Sequence, residues 1–272
     1  MQTIIARLVP ACLLAVALVV GLPPAGALAG TATAKTVVVL TFDDSTADHV
    51  TAAGMLNKRG LKGTFYVNSG RLGKRGYLTV GDLRFIAKSG HEIGGHTLDH
   101  VNLLRETEDV RQRQICEDRR TLLSHGFKVR SFAYPFGAFD ESSKQLAMRC
   151  GYTTARGVTG VHRPDACRSC PYAETIPPAD PAAVRATSQN GIARTAGTLA
   201  GFVTRAQRNG GGLVVFVFHK IGNDARDPYA TSPRELARFL DWIARQRKAR
   251  GVVVKPLGDV AGGRTWPVPD DM

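Results

Sequence analysis

The stretch GGHTLDH, residues 94–100, sets His96 and His100 four apart, with Asp99 just before the second. Two imidazoles at that spacing can grip one cation, although such a pair alone is more often an inert polar loop. Upstream, TFDD at 41–44 places Asp43 beside Asp44. Two neighbouring carboxylates compete if both bind one metal and repel if both are free. A division of labour resolves this, with one as ligand and the other near the bound water as general base. Two nitrogens and one oxygen with an open position form a catalytic zinc set, not a closed structural one. Zinc in such a set brings the pKa of its water from about 15.7 to about 7. Cobalt, nickel or manganese would also fit these ligands. The competing reading of Asp43-Asp44 is an acidic helix N-terminus, which Ser45-Thr46 would suit.

These residues need elements to carry them to one place. TVVVLTF at 36–42 reads as a buried strand ending at the aspartates, followed by a helix over 47–59 stopped by Gly60. GTFYV at 63–67 is a second strand, and Thr79 caps a helix closed by Gly90. HEIGGH at 91–96 is a third strand that delivers the histidines. A long charged helix is expected over 106–125, a strand at 131–134 running into YPFG, a helix over 140–149 and a strand at 152–155. The segment 157–181, rich in Pro, Cys and Asp, reads as a long surface loop forming one wall of a groove. A helix over 191–209, the apolar strand 213–219, a helix over 232–248 and a last strand at 251–255 complete the chain. Strand and helix alternate throughout, so a mostly parallel sheet with outer helices is expected. Seven clear strands fit a distorted or incomplete barrel better than a regular eightfold one. In such folds the active site gathers at the carboxyl ends of the strands. Asp43, Asp44, His96, His100, the YPFG turn and His219 all fall at those ends. No glycine-rich dinucleotide fingerprint follows the first strand, which disfavours a nucleotide-binding fold.

Arg7, the apolar run after it and Ala27-Leu28-Ala29 describe a secretory signal peptide over 1–29, with cleavage after Ala29. The run is too short to span a bilayer and no later segment is long enough. Residues 30–272 are expected to form a single domain, exported and monomeric. Cys116, Cys150, Cys167 and Cys170 remain in the mature chain, an even number that argues for two disulfides with three possible pairings. The close spacing of Cys167 and Cys170 suits a local bridge and leaves Cys116 for Cys150; a zinc site on all four is the rival. The net charge of +13 is spread along the chain. It favours anionic surroundings, such as an acidic cell-wall polymer, or serves solubility alone. No zinc finger and no basic run interleaved with aromatics is present, and with the export signal this argues against nucleic acid as a partner.

TFDD, HTLDH, YPFG and FVFHKI, in this order, resemble the polysaccharide deacetylase family, the NodB-homology carbohydrate esterases of family 4. The resemblance runs over roughly 35–260. It implies a deformed (β/α)7 barrel of NodB-homology type and metal-dependent removal of acetyl groups from a glycan. Matched position by position, Asp43 would be the general base, and Asp44, His96 and His100 the metal ligands. The Phe136 backbone N–H would help hold the oxyanion and His219 would be the general acid. Thr97 fills the small hydroxyl position between the ligands, and Asp99 would stand behind them. Ala133 stands where many members carry an arginine that orients the catalytic aspartate, and Arg156 is the candidate replacement. The aspartate-tryptophan motif usual in the fourth position is absent. The expected substrate is an acetylated polysaccharide or oligosaccharide containing N-acetylglucosamine. An acetylxylan-type esterase and a non-catalytic glycan-binding protein are the alternatives.

Overall fold

The computed structural model describes residues 35–187, 194–224, 226–270 and 272. The segment expected as a signal peptide, residues 1–29, and the first residues of the helix expected over 191–209 lie outside the described residues. Residues Thr33–Met272 group as one compact unit. Its elements, in chain order, are β1 (Thr36–Phe42), α1 (His49–Asn57), β2 (Thr64–Val67), α2 (Val80–Lys88) and β3 (Glu92–Gly95). Then come α3 (Glu108–Gln112), α4 (Asp118–Ser124), β4 (Val129–Ala133), α5 (Glu141–Arg149), β5 (Thr154–Gly160) and β6 (Val184–Ala186). The chain ends with α6 (Ala196–Arg208), β7 (Gly212–Phe218), α7 (Pro233–Ala249), β8 (Val253–Val254) and α8 (Leu257–Ala261).

The strands pair in the order β6-β5-β4-β3-β2-β1-β7, every pair parallel. The ring nearly closes, because just past β6 the Thr187 N–H donates to Val215 O of β7 at 2.8 Å. This is a deformed barrel of seven parallel strands with helices outside. Its seventh place belongs to β6, not to the expected last strand. That segment contributes only the two residues of β8, which pair with Val37 and Val38 below the point where β2 joins β1 at Thr41. Helix α8, not expected from the sequence, follows it.

Side-chain parity along the strands sorts the core into two parts. Val38, Leu40 and Phe42 pack outward against the helices, whereas Val37 and Val39 face the barrel interior with Tyr66, Ala133, Val215 and Val217. Continuing that inward series gives Thr41 and then Asp43, so the strand period carries Asp43 to the top of the interior. Gly94 is required here, since a Cβ would lie 2.5 Å from the Tyr66 ring.

The helices form for local reasons. Thr79 and Asp82 make a reciprocal capping box on α2. Ser232 caps α7, whose Leu236, Phe239, Leu240 and Ile243 form one apolar stripe. Thr195 caps α6, so that helix starts later than expected. The helix expected over 106–125 is interrupted by a π turn at Arg113–Glu117. At about 100° per residue, Cys116 would lie some 200° round from Gln114 in a regular helix. The widened turn lets Gln114, Cys116 and Asp118 all become buried. Cys116 bonds Cys150, and Cys167 bonds Cys170. The segment expected as loop from 157 begins as strand, because β5 runs on to Gly160 to pair with β6.

Candidate metal centre

The turn after β1 and the turn after β3 meet at the carboxyl end of the barrel. Asp44 Oδ1 lies 3.3 Å from His96 Nε2 and 3.1 Å from His100 Nε2. One ligand atom from each of Asp44, His96 and His100 lies within 4.8 Å of the others. The residues fit a cation for two reasons. His96 Nδ1 meets the Ala133 carbonyl at 2.7 Å, a contact only a protonated Nδ1 can make, so in the neutral ring Nε2 carries the lone pair. Asp44 Oδ1 is buried without a hydrogen-bond partner among the described residues, and both imidazoles face it. Burial would raise the Asp44 pKa, but the two imidazoles outweigh it and hold the carboxyl well below its ordinary value. His96 is pulled the opposite way: burial lowers its pKa, and Asp44 and Asp43 raise it by more.

Backbone strain concentrates here. The described non-glycine residues with positive φ are Asp44 (77°), Ser45 (52°), Thr97 (66°), His100 (63°) and Phe136 (60°), all in the turns that make the site. Such conformations cost of order 1–3 kcal/mol each and persist only where the surroundings hold them. The supports are specific. Thr97 Oγ1 accepts from the His100 N–H at 3.0 Å. Asp118 accepts from the His96 N–H and the Ser69 N–H, both at 2.9 Å. Burial raises the Asp118 carboxyl to about 6 despite these donors. Asn68 Nδ2 donates to the carbonyls of His96 and Thr97. Asp99 meets Gln114 of the π turn and neither imidazole, with Gln114 Nε2 donating to its Oδ2 at 2.9 Å and its N–H donating to Gln114 Oε1 at 3.0 Å.

Asp43, the other carboxylate, lines the same cleft as Asp44, His96 and His100, is buried and ion-pairs with Arg156 Nη2. The same Nη2 donates to Thr41 Oγ1 at 3.2 Å, and the guanidinium stacks 4.6 Å over the Tyr66 ring. Ala133 and Arg156 are register partners on adjacent strands. Arg156 thus reaches Asp43 from the strand next to the one that carries Ala133. Burial would raise the Asp43 pKa; Arg156, His96 and His219 outweigh it and hold the carboxyl below its usual value.

His219 follows β7, and its carbonyl accepts from His49 Nε2 at 2.8 Å. Its Nδ1 is buried without a partner among the described residues, and burial pushes its pKa below the usual imidazole value. Asp43, Asp44, His96, His100, Phe136, Val158, His219 and Tyr229 line one cleft of 360 Å³. Phe136 is 62% exposed, with its ring 4.6 Å from that of His100. All seven site residues expected from the sequence therefore converge. Sequence reasoning missed Asp118, hidden as one more charge in a charged helix, and Tyr229, which sits in a loop without pattern.

The fold is that of the family-4 carbohydrate esterases. An acetyl xylan esterase of that family from Clostridium thermocellum, solved with a cobalt ion, superposes with a TM-score of 0.55 at 19% identity, covering 83% of this chain and 90% of that one. Residues 30–155 match the polysaccharide deacetylase family profile. The matched segment includes Asp43, Asp44, His96, His100 and Phe136; Arg156 and His219 lie beyond it. A putative polysaccharide deacetylase, YxkH, from Bacillus subtilis strain 168 is 29% identical over 118 residues, 42% of either chain. The peptidoglycan-N-acetylglucosamine deacetylase PgdA of Listeria monocytogenes is 27% identical over 117 residues, 42% of this chain and 24% of that one. The match spans less than half the length of these curated relatives.

Proposed function

We propose that the protein is an exported, metal-dependent deacetylase that removes N-acetyl groups from a glycan containing N-acetylglucosamine. The observation carrying this reading is the meeting of Asp44, His96 and His100 within 4.8 Å beside a second carboxylate held by its own arginine. Asp44, His96 and His100 would hold the ion, which when bound polarises the acetyl carbonyl and acidifies water. Asp43 takes the proton of the attacking water. Arg156 keeps Asp43 ionised and aimed, since a buried carboxylate without a partner would tend to protonate. The Phe136 N–H, in the strained turn after β4, would donate to the charge developing on the carbonyl oxygen; losing a comparable donor costs about 3 kcal/mol. His219, in its imidazolium form, gives its proton to the departing amine nitrogen and is left as the neutral imidazole. Two disulfides fit an oxidising compartment.

The test is acetate release by zinc-loaded protein from chitin oligomers, peptidoglycan, poly-N-acetylglucosamine and acetylxylan. Release from the glucosamine polymers supports the reading. Release from acetylxylan alone would transfer the protein to the esterases. Polymer retention without acetate release under zinc, cobalt or manganese would make it a glycan-binding protein.

A further inference from the structure

The helices that return from the strands of a parallel barrel all run one way, so their carbonyl ends share the face opposite the cleft. On that face Lys58 and Arg59 end α1, while Arg245, Arg247, Lys248 and Arg250 end α7. The two ends are tied together: Arg247 Nη1 donates to Gly60 O at 2.8 Å, and Arg59 forks onto Asp241 of α7 at 2.7 and 3.1 Å. Between them lies a cleft of 520 Å³ lined by Lys58, Arg59, Gly60, Ala244, Arg247 and Lys248, with no carboxylate in its wall.

Helix C-termini attract cations, so part of this charge has a structural use. Each carbonyl end amounts to about half a negative charge, and Asp241 adds one. Six cations exceed that demand by about four. Lys58, Lys248 and Arg250 are exposed and make no ion pair among the described residues. Arg59 is committed to Asp241 and the Met55 carbonyl; Arg247, positioned by its bond to Gly60 O, brings the guanidinium whose fork matches phosphate oxygens. We propose that this cleft docks a linear phosphate-bearing polymer, so that the barrel sits on a polyanion with its catalytic cleft turned away. This goes beyond the deacetylase reading and does not depend on it.

The experiment measures binding of long-chain inorganic polyphosphate across a salt series, with polyglutamate as the carboxylate counterpart. The cleft triple K58A/K248A/R250A is compared with K74A/R75A/R105A, which removes equal charge from exposed loops at the opposite end, after β2 and β3. The cleft triple should weaken polyphosphate binding on the order of 100-fold at low salt and flatten the log–log salt slope by about 2. The opposite-end triple should lose less than about a tenth as much. Equal losses from both triples would reduce the effect to overall charge and overturn the site. Equal affinity for polyglutamate would overturn phosphate recognition. Thermal melts of both triples report folding, and neither binding readout requires acetate release.

Discussion

Replacing Arg156 with methionine keeps the bulk and deletes the charge. Both members of the pair are almost sealed from solvent, with side-chain exposures of 0% and 2%. Removing one partner from a buried pair strands the other, at about 3–5 kcal/mol, against a total stability of about 5–15 kcal/mol for a domain. R156M should therefore lose a large fraction of its stability in urea at pH 7.5. The sign of the pH dependence follows from Asp43. In the parent its pKa lies below the ordinary carboxylate value, so its contribution is complete above that value and fades as pH falls through the lowered pKa. Without Arg156 the burial of Asp43 is less compensated and its pKa rises; the deficit of R156M relative to the parent then shrinks as the carboxyl takes up its proton on acidification. Adding D43N removes the stranded charge, so R156M/D43N should be more stable than R156M by about 2 kcal/mol, a coupling far from additive. R156M should still bind zinc, because Asp44, His96 and His100 are untouched, while acetate release falls at least about 100-fold. A cycle additive to within about 0.5 kcal/mol, or an R156M stability deficit that does not change with pH, would refute the argument.

H96A should abolish zinc binding by equilibrium dialysis, whereas D43N should retain zinc and lose turnover. H219A should keep its zinc and slow amide hydrolysis more than hydrolysis of an activated acetyl ester; equal slowing would remove His219 from the acid role. Replacing Cys116 and Cys150 by alanine should cost about 3–4 kcal/mol in urea unfolding, from their separation of 34 residues, and replacing Cys167 and Cys170, separated by 3, about 1–2 kcal/mol. Asp140 caps α5 by accepting from the Ser143 N–H at 2.8 Å, with its pKa lowered to about 2. D140A should cost about 1 kcal/mol at pH 7, and the difference should vanish as pH falls from 3.8 through about 2, which pH-dependent melts would follow.

Strand parity made much of this legible. The alternation in TVVVLTF both announces β1 and carries Asp43 inward, and the strand-end rule brings His96, His100 and His219 to the same rim. Arg156 could be named because Ala133 left a gap, but its position came from register across two strands, which one strand's sequence does not reveal. β6 is three residues, VRA, among prolines and aspartates, and it is a strand only because β5 and β7 flank it. Asp118 has the same charge as its exposed neighbours on the long helix. Only the π turn, invisible to a count of 3.6 residues per turn, brings it under His96.

That turn sets a constraint of length more than of composition. Gln114 holds the histidine loop through Asp99, Cys116 anchors to Cys150, and Asp118 carries the His96 backbone. Deleting any one residue between 113 and 117 would restore ordinary winding and rotate at least one of these anchors out of reach. The segment therefore tolerates a change of letter at an exposed position better than the loss of a residue.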